Sequence, residues 1–247
     1  MYSKGMNIKS VVFHKIAIFF LMIFPLISGT VHGQKKQSFS QAKKHLVEIY
    51  KANPEVKSFY CGCDILWTGK KGIPISESCG YEPRRTKYRS GKDNPRIKRI
   101  EWEHVVPAYW FGHQLQCWKD GGRKACKKIA KFKQMEGDLH NLQPVIGELN
   151  DDRSYYRFSM LKGEPRKYGQ CDFEVKSNQK KVEPPPNIRG DIARTYFYMS
   201  ETYGLNLSRQ QTQLFNAWDK TDPVDDWERL RNQLIQSAQG NENSFVK

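Results

Sequence analysis

Six cysteines constrain the fold of this 247-residue chain more than any other feature of its sequence. They lie between residues 61 and 171, and an even number of cysteines in an exported protein is typical of a disulfide framework. A zinc site is the alternative, but a C-x-C pair followed by isolated cysteines does not match the C-x₂₋₄-C pairs of structural zinc sites. The sequence therefore predicts three disulfides, which would use Cys61, Cys63, Cys79, Cys117, Cys126 and Cys171.

The pairing of these cysteines follows only in part from their spacing. Cys117 and Cys126 are close enough in the chain to close a local loop. Cys61 and Cys63 would then pair with Cys79 and Cys171, in an order that the sequence leaves open.

The first 33 residues have the organisation of a secretory signal peptide. Three lysines precede an apolar run at residues 16–27, which is shorter than the roughly 17 residues that a membrane span needs. Val31 and Gly33 suit positions −3 and −1 of a signal-peptide cleavage site. We expect a signal peptide over residues 1–33, with a retained membrane anchor as the alternative, and a secreted or periplasmic protein without a membrane partner thereafter.

The remaining chain, residues 34–247, is strongly basic. The whole sequence has 41 Lys and Arg against 26 Asp and Glu, and removal of Lys4, Lys9 and Lys15 leaves 38 against 26, a net charge of +12. Such a protein attracts polyanions, because Lys and Arg displace counterions condensed on phosphate backbones. A basic surface for solubility or adhesion is the alternative, so charge alone favours a nucleic-acid partner without identifying a site.

Hydrophobic spacing predicts one α+β domain, with mixed short strands early and helices late. A first helix is expected from the N-cap Ser40 to the break at Asn53, followed by strands at residues 58–60 and 64–67. Beyond a proline-rich connector, three helical patterns occupy a C-terminal part at about residues 189–240, and they are expected at residues 191–203, after the N-cap Ser208, and at residues 222–238.

Secondary structure is also predicted for two further segments. The basic residues 118–133, with two adjacent glycines, are predicted to be loop-like. Pro144 is predicted to begin a helix that carries Asn150.

The central segment, residues 100–107, concentrates groups that can hydrolyse a phosphodiester. Glu101 and Glu103 flank a tryptophan, and His104 follows. A histidine can accept the proton of an attacking water, and Mg²⁺ prefers oxygen ligands such as carboxylates. A structural ion pair is the alternative, and adjacent residues of a regular strand point to opposite faces. Glu103 and His104 could share a site only where the strand ends, for which Pro107 gives a reason.

The central segment belongs to a series of motifs over residues 59–199. These are FYCGCD (59–64), EWEHVVPA (101–108), FG (111–112), CWKDGGRK (117–124), MEGDLHNLQP (135–144), GELNDDRS (147–154), PP (185–186) and RGDIARTYFYM (189–199). In these motifs and in their order, the sequence resembles the bacterial endonuclease I family of periplasmic and secreted nucleases. Family members can carry eight cysteines where this chain has six, which bears on the disulfides and leaves the catalytic set intact.

The resemblance implies a ββα-metal core, also called a His-Me finger, in which two strands and a helix hold one divalent ion. His104 would be the general base, and Glu103 and Asn150 the metal ligands. Arg123 would hold the scissile phosphate, a task suited to a guanidinium fork. Mg²⁺ is the expected ion, with other divalent metals open, and Glu101 is expected to be structural.

The roles of the neighbouring residues stay open. Arg153, Arg189 and Arg194 would contact phosphate or form ion pairs within the protein. Glu136 is either a support of the site or a surface acid, and His140 is expected to support the fold.

The predicted function is an exported, monomeric endonuclease that cuts DNA with little sequence specificity and that accepts RNA as a further possible substrate. A non-catalytic extracellular DNA-binding protein is the alternative from another class. That alternative would account for the charge and export but gives no reason for Glu103, His104 and Asn150 to occur together.

Overall fold

The computed structural model describes residues 1–2, 33–163 and 166–247. The predicted signal peptide falls almost entirely outside the described residues. Residues His32–Lys247 form one compact unit, in agreement with the expected single α+β domain. Within the described part of the chain, no helix is long and apolar enough to cross a membrane.

The described residues form eight α-helices. They are α1 Phe39–Ala52, α2 Ala108–His113, α3 Gln116–Cys126, α4 Ala130–Glu136, α5 Gly147–Arg153, α6 Arg189–Tyr203, α7 Arg209–Thr221 and α8 Asp226–Gln239.

The strands form three small sheets. They are β1 Asp64–Thr68, β2 Lys71–Ile75, β3 Ile100–His104, β4 Leu142–Ile146, β5 Arg157–Phe158, β6 Glu174–Lys176 and β7 Lys181–Glu183. Strands β1 and β2 form one antiparallel hairpin, and β3 and β4 form a second antiparallel pair. In the third sheet β7 is central, parallel to β5 and antiparallel to β6. Helix α5 begins at the residue after β4, so the β3–β4 pair leads directly into a helix.

All six cysteines are paired, which confirms the prediction of three disulfides. Cys117 bonds to Cys126 as the spacing indicated, and the open order resolves as Cys61–Cys171 and Cys63–Cys79. The Cys61–Cys171 bridge links residues 110 positions apart. A disulfide that closes so long a loop strongly restricts the unfolded chain.

The core consists of two clusters of buried apolar side chains. The larger joins the β3–β4 pair to α2, α4, α6 and α7, and includes Phe111, Leu149 and Phe215. The smaller lies between α1 and α8, around Leu46 and Ile235.

The C-terminal helices agree with the sequence pattern, and Ser208 is the N-cap of α7 as predicted. Helix α1 also forms, but its N-cap is Ser38, whose side chain accepts from Gln41 N while the Gln41 side chain accepts from Ser38 N. This reciprocal pairing satisfies two helix-end donors, which the predicted cap Ser40 does not do.

Three predictions for the middle of the chain are wrong. Residues 118–133 are largely helical, because the basic side chains project into solvent while Phe132 is buried beneath them. Ser58 and the two residues after it form a turn rather than a strand, with the Ser58 hydroxyl accepting from Cys63 N. Such local side-chain bonds compete with strand pairing.

Pro144 lies in β4 rather than at a helix start. Its carbonyl accepts from Phe59 N, on the side away from β3. The backbone N and O of a strand residue point to the same side. The N–H that proline lacks would therefore face away from β3, and the β3–β4 ladder does not need it.

Candidate active site

The end of β3 brings Glu103 and His104 to one place. His104 is the last residue of the strand, and the backbone bends immediately after it. Asn141 fixes this bend, because its Oδ1 accepts from Val106 N at 2.7 Å and its Nδ2 donates to Val106 O at 3.0 Å. Strand β3 therefore ends at His104, which is the condition for the adjacent side chains of Glu103 and His104 to face one cavity.

Four predicted site residues line the same two adjoining cavities. One is a cleft of about 980 Å³ that extends towards α1 and the β1–β2 hairpin. The other is a pocket of about 240 Å³ on the side of Tyr109 and Tyr155. Both are lined by Glu103, His104, Arg123 and Asn150.

His104 is held by the backbone of α4. Its Nε2 lies 2.8 Å from the Glu136 carbonyl oxygen, and because a carbonyl only accepts, Nε2 carries the hydrogen. In the neutral ring the lone pair is then on Nδ1. Burial lowers the pKa of His104 to about 4, against the effect of the Glu136 carbonyl, which raises it. The side chain is thus an uncharged imidazole with one basic nitrogen not used by this bond.

Glu103 is buried but keeps part of its carboxylate uncommitted. Its Oε1 accepts from the Tyr60 hydroxyl at 3.2 Å and lies 3.1 Å from Arg153 Nη1. Its Oε2 makes no hydrogen bond to any of the residues that the structure describes. Burial raises the pKa of Glu103 to about 7, while Arg153 lowers it.

Asn150, in the middle of α5, is oriented by Glu101. Its Nδ2 donates to Glu101 Oε2 at 3.0 Å. Glu101 also accepts from Arg96 Nη2 at 2.6 Å and from Arg99 Nε at 2.8 Å. The expectation that Glu101 is structural agrees with these contacts, and the amide orientation turns Asn150 Oδ1 away from Glu101.

Arg123 reaches the site from a break in α3. Gly122, with φ 61°, interrupts the helix just before it, and the Cys117–Cys126 bridge spans the break. Arg123 Nε and Nη2 donate to Glu136 Oε1 at 3.0 and 2.7 Å, and the side chain remains 47% exposed. Glu136 thus holds His104 by its carbonyl and Arg123 by its carboxylate.

The arginines proposed from sequence as further phosphate contacts are engaged within the protein. Arg153 borders the smaller pocket, but its side chain is fully buried, donating to Val105 O and pairing with Glu103. Arg194 is buried against Glu228. A buried guanidinium has no surface for DNA, so we correct the expectation of phosphate contact for both.

Arg189 also forms an internal pair. Its Nη2 donates to Glu183 Oε1 at 2.7 Å and its Nε to Pro184 O at 3.1 Å. The structure therefore favours the ion-pair alternative for this residue too.

His140 lies outside both cavities. Its Nε2 bonds to Asn241 O at 3.1 Å beside α8, and the side chain is buried. This environment agrees with the expected support of the fold.

Sequence reasoning missed most of the cationic lining of the cleft. Eight basic and two acidic side chains line it; the basic ones are Lys43, Lys44, Lys70, Lys71, Arg96, Lys98, Arg99 and Arg123, and the acidic ones are Glu101 and Glu103. The adjacent lysine pairs at 43–44 and 70–71 were visible in the sequence, but nothing in the sequence indicated that they share a surface.

The chain is similar over nearly its whole length to known nucleases. The sequence model of the family described as Endonuclease I matches residues 35–247. A periplasmic deoxyribonuclease and an extracellular deoxyribonuclease of Aeromonas hydrophila are 51% and 50% identical over 90% of this chain and over 90% and 93% of their own. Endonuclease-1 of Buchnera aphidicola from Acyrthosiphon pisum is 50% identical over 85% of this chain and 80% of its own. The match to the family and to full-length relatives confirms the resemblance noted in the sequence: this chain belongs to the endonuclease I family.

Proposed function

We propose that the protein is an exported endonuclease that hydrolyses DNA with little sequence specificity, using a divalent ion and His104 as general base. The observation that carries the proposal is that Glu103, His104, Arg123 and Asn150 line two adjoining cavities in a chain of the endonuclease I family. The periplasmic and extracellular names of the relatives support the exported location.

His104 accepts the proton of the attacking water at Nδ1. The Glu136 carbonyl occupies Nε2–H, which fixes the tautomer and leaves Nδ1 basic. Contact with Phe39, whose ring centroid is 4.9 Å away, limits rotation of the imidazole. A base held in one tautomer and one orientation contributes to catalysis without reorganisation during the reaction.

The chemistry of Glu103 and Asn150 fits a hard divalent cation such as Mg²⁺. Glu103 Oε2 and Asn150 Oδ1 are the oxygens that the internal hydrogen bonds leave over. No cluster of three or more His, Cys, Asp or Glu suited to a metal occurs in the described part of the chain, and Mg²⁺ needs only one or two protein oxygens because it keeps several waters. When bound, the ion would neutralise charge on the phosphate and on the departing oxygen.

Arg123 binds the phosphate. Its guanidinium is nearly half exposed, and its bonds to Glu136 use Nε and Nη2, which leaves Nη1 for a phosphate oxygen. A charge-assisted bond of this kind strengthens as negative charge accumulates on the phosphorane-like transition state.

A cleavage assay on supercoiled plasmid tests the proposal. Wild type should cut with Mg²⁺ and stop with excess chelator, and His104→Ala should cut about 10²–10⁴-fold more slowly because the general base is lost. His45→Ala is the control, since His45 is exposed on α1 and does not line the cleft. Equal rates for wild type and His104→Ala, or DNA binding without cleavage under any divalent ion, would refute the proposal.

Two further measurements address expectations that accompany the proposal. Cleavage rates on single-stranded DNA and RNA of the same sequence measure the preference for either sugar. The proposed groups contact phosphate, which both substrates share. Light scattering at the assay concentration tests the expected monomer.

A further inference from the structure

The β1–β2 hairpin exposes an apolar face. Directly opposed residues of an antiparallel pair lie on the same face, so Leu66 and its partner Ile73 lie beside Ile75, which opposes Asp64. These three side chains are 55%, 39% and 40% exposed. Three large aliphatic side chains are therefore exposed together on one short hairpin, on the face that also carries Asp64.

The opposite face fixes the hairpin to the domain. Ile65 is buried, and the Trp67 ring stacks on Trp102 with centroids 6.0 Å apart. At Gly72 a Cβ would come within 2.9 Å of the Ile100 side chain, so only glycine permits this approach of β2 to β3. The Cys63–Cys79 bridge joins the two ends of the hairpin. The exposed residues therefore cannot turn inwards to bury themselves.

The same hairpin forms one wall of the cleft that contains the candidate catalytic residues. Ile73, Lys70 and Lys71 line that cleft together with His104. Because eight basic and two acidic side chains line it, the occupant that complements the charge is a polyanion. Duplex DNA is a polyanion into whose minor groove rigid aliphatic side chains can insert between base steps.

We propose that the β1–β2 hairpin is a wedge that enters the minor groove of duplex DNA beside the bond to be cut. Leu66 and Ile73 contact a base step, and Lys70 and Lys71 bind the flanking phosphates. Aliphatic side chains inserted in this way unstack bases and kink the duplex. The inference rests on the proposed nuclease function and adds to it the form in which the substrate is bound.

Two properties follow from a wedge without hydrogen-bonding groups. It distorts the duplex with little discrimination between bases, since the minor groove presents a degenerate pattern and the wedge forms no hydrogen bonds to it. It also benefits duplex substrates alone, because a single strand has no base-pair stack to open.

Leu66→Ser, Ile73→Ser and the double variant test the wedge. The control is Leu230→Ser, on α8, because Leu230 is 40% exposed and lines neither cavity of the site. For each protein, kcat/KM is measured with Mg²⁺ on a 20-bp duplex and on one of its strands alone. The double variant should lose about tenfold on the duplex and less than twofold on the single strand, with melting temperatures equal to that of wild type.

A binding measurement reads the distortion without catalysis. In the His104→Ala background, a duplex with a central 2-aminopurine should brighten on binding as its base unstacks, and Leu66→Ser with Ile73→Ser should abolish that increase. Equal losses on both substrates, unchanged kcat/KM, or an increase that persists in the double variant would each overturn the wedge. A concentration-dependent mass that the substitutions abolish would also overturn it, since the face would then join two copies. If wild type cuts neither substrate, the proposed function fails, and the fluorescence measurement still decides the wedge.

Discussion

Two regions of the domain each contain a buried histidine in a similar environment, and only one of the two histidines opens on a large cavity. His104 and His140 both bond through Nε2 to a backbone carbonyl, and burial lowers the pKa of each to about 4. His104 opens on cavities of about 980 and 240 Å³, whereas His140 borders a cavity of about 20 Å³. Burial and a shifted pKa are therefore properties of packing, and access is what distinguishes a catalytic candidate.

The buried arginines of the two regions differ in the same way. Arg153 pairs with a carboxylate that keeps one oxygen for the cleft, whereas Arg194 pairs with Glu228 and Asp219 and donates to Asp222 O in the helical region. The first pair orients a group that faces the cleft, and the second joins α6, α7 and α8.

The largest expected effect is on the stability of the helical region. Arg194→Met should lower the free energy of unfolding by about 3–5 kcal/mol, because Glu228 and its neighbours lose their buried counter-charge. Arg229→Met, in the exposed pair with Asp226, should cost less than about 1 kcal/mol. Urea unfolding measures both. A loss for Arg194→Met as small as that for Arg229→Met would show that the buried ion pairs of Arg194 stabilise the helical region no more than an exposed pair does.

In the cleft, Asn150→Ala should alter chemistry rather than stability. The rate of plasmid cleavage should fall by about a hundredfold or more, and calorimetry should record weaker Mg²⁺ binding, because one of two protein oxygens for the ion is removed. The melting temperature should stay close to that of wild type. Asn178→Ala, at an exposed asparagine away from the cleft, is the control. Unaltered Mg²⁺ affinity would remove Asn150 from the ligand set.

The smallest expected effect at neutral pH is that of His140, whose contribution to stability depends on pH. The pKa of its ring in the folded protein, about 4, lies below the unfolded value of about 6.5. Between these values the unfolded chain binds a proton that the folded protein does not, so stability falls as pH decreases from about 6.5 to 4, by up to about 1.4 kcal/mol per pH unit.

His140→Asn should remove this contribution. The difference in unfolding free energy between wild type and variant, measured from pH 7.5 to 4.5, should change in favour of the variant as pH falls. The variant should still cut DNA at the wild-type rate. A difference that is constant with pH, or a loss of activity, would contradict the distinction between the two histidines.

The sequence predicted the groups of the site better than their surroundings. The four predicted residues of the site came from local motifs, and they do line common cavities. Arg153 could not be assigned from the sequence, because a guanidinium one turn from Asn150 faces either the cleft or the core. Its direction depends on Glu103, 50 residues earlier in the chain, which Tyr60 in turn contacts.

The fold was predictable where periodicity was strong and unpredictable where tertiary contacts overrode it. Ser208 and the C-terminal helices follow their sequence signals closely. The sequence predicted a helix start at Pro144. In the fold Pro144 is a strand residue, and its carbonyl accepts from Phe59 N on the side away from β3. The order of the bridges at Cys61 and Cys63 likewise depends on which chain segments meet in the fold.

The two contacts of Glu136 affect how precisely His104 and Arg123 are positioned relative to each other. This residue holds His104, the proposed proton acceptor, through its main chain and Arg123, the proposed phosphate ligand, through its side chain. Thermal displacement at the end of α4 therefore carries both anchor points along the same vector, so that errors in their positions are correlated and largely cancel in the distance between them. Since a misplacement of about 1 Å can cost a hundredfold in rate, the proposed mechanism would benefit from this shared attachment, which preserves the distance between His104 and Arg123 when the end of α4 moves.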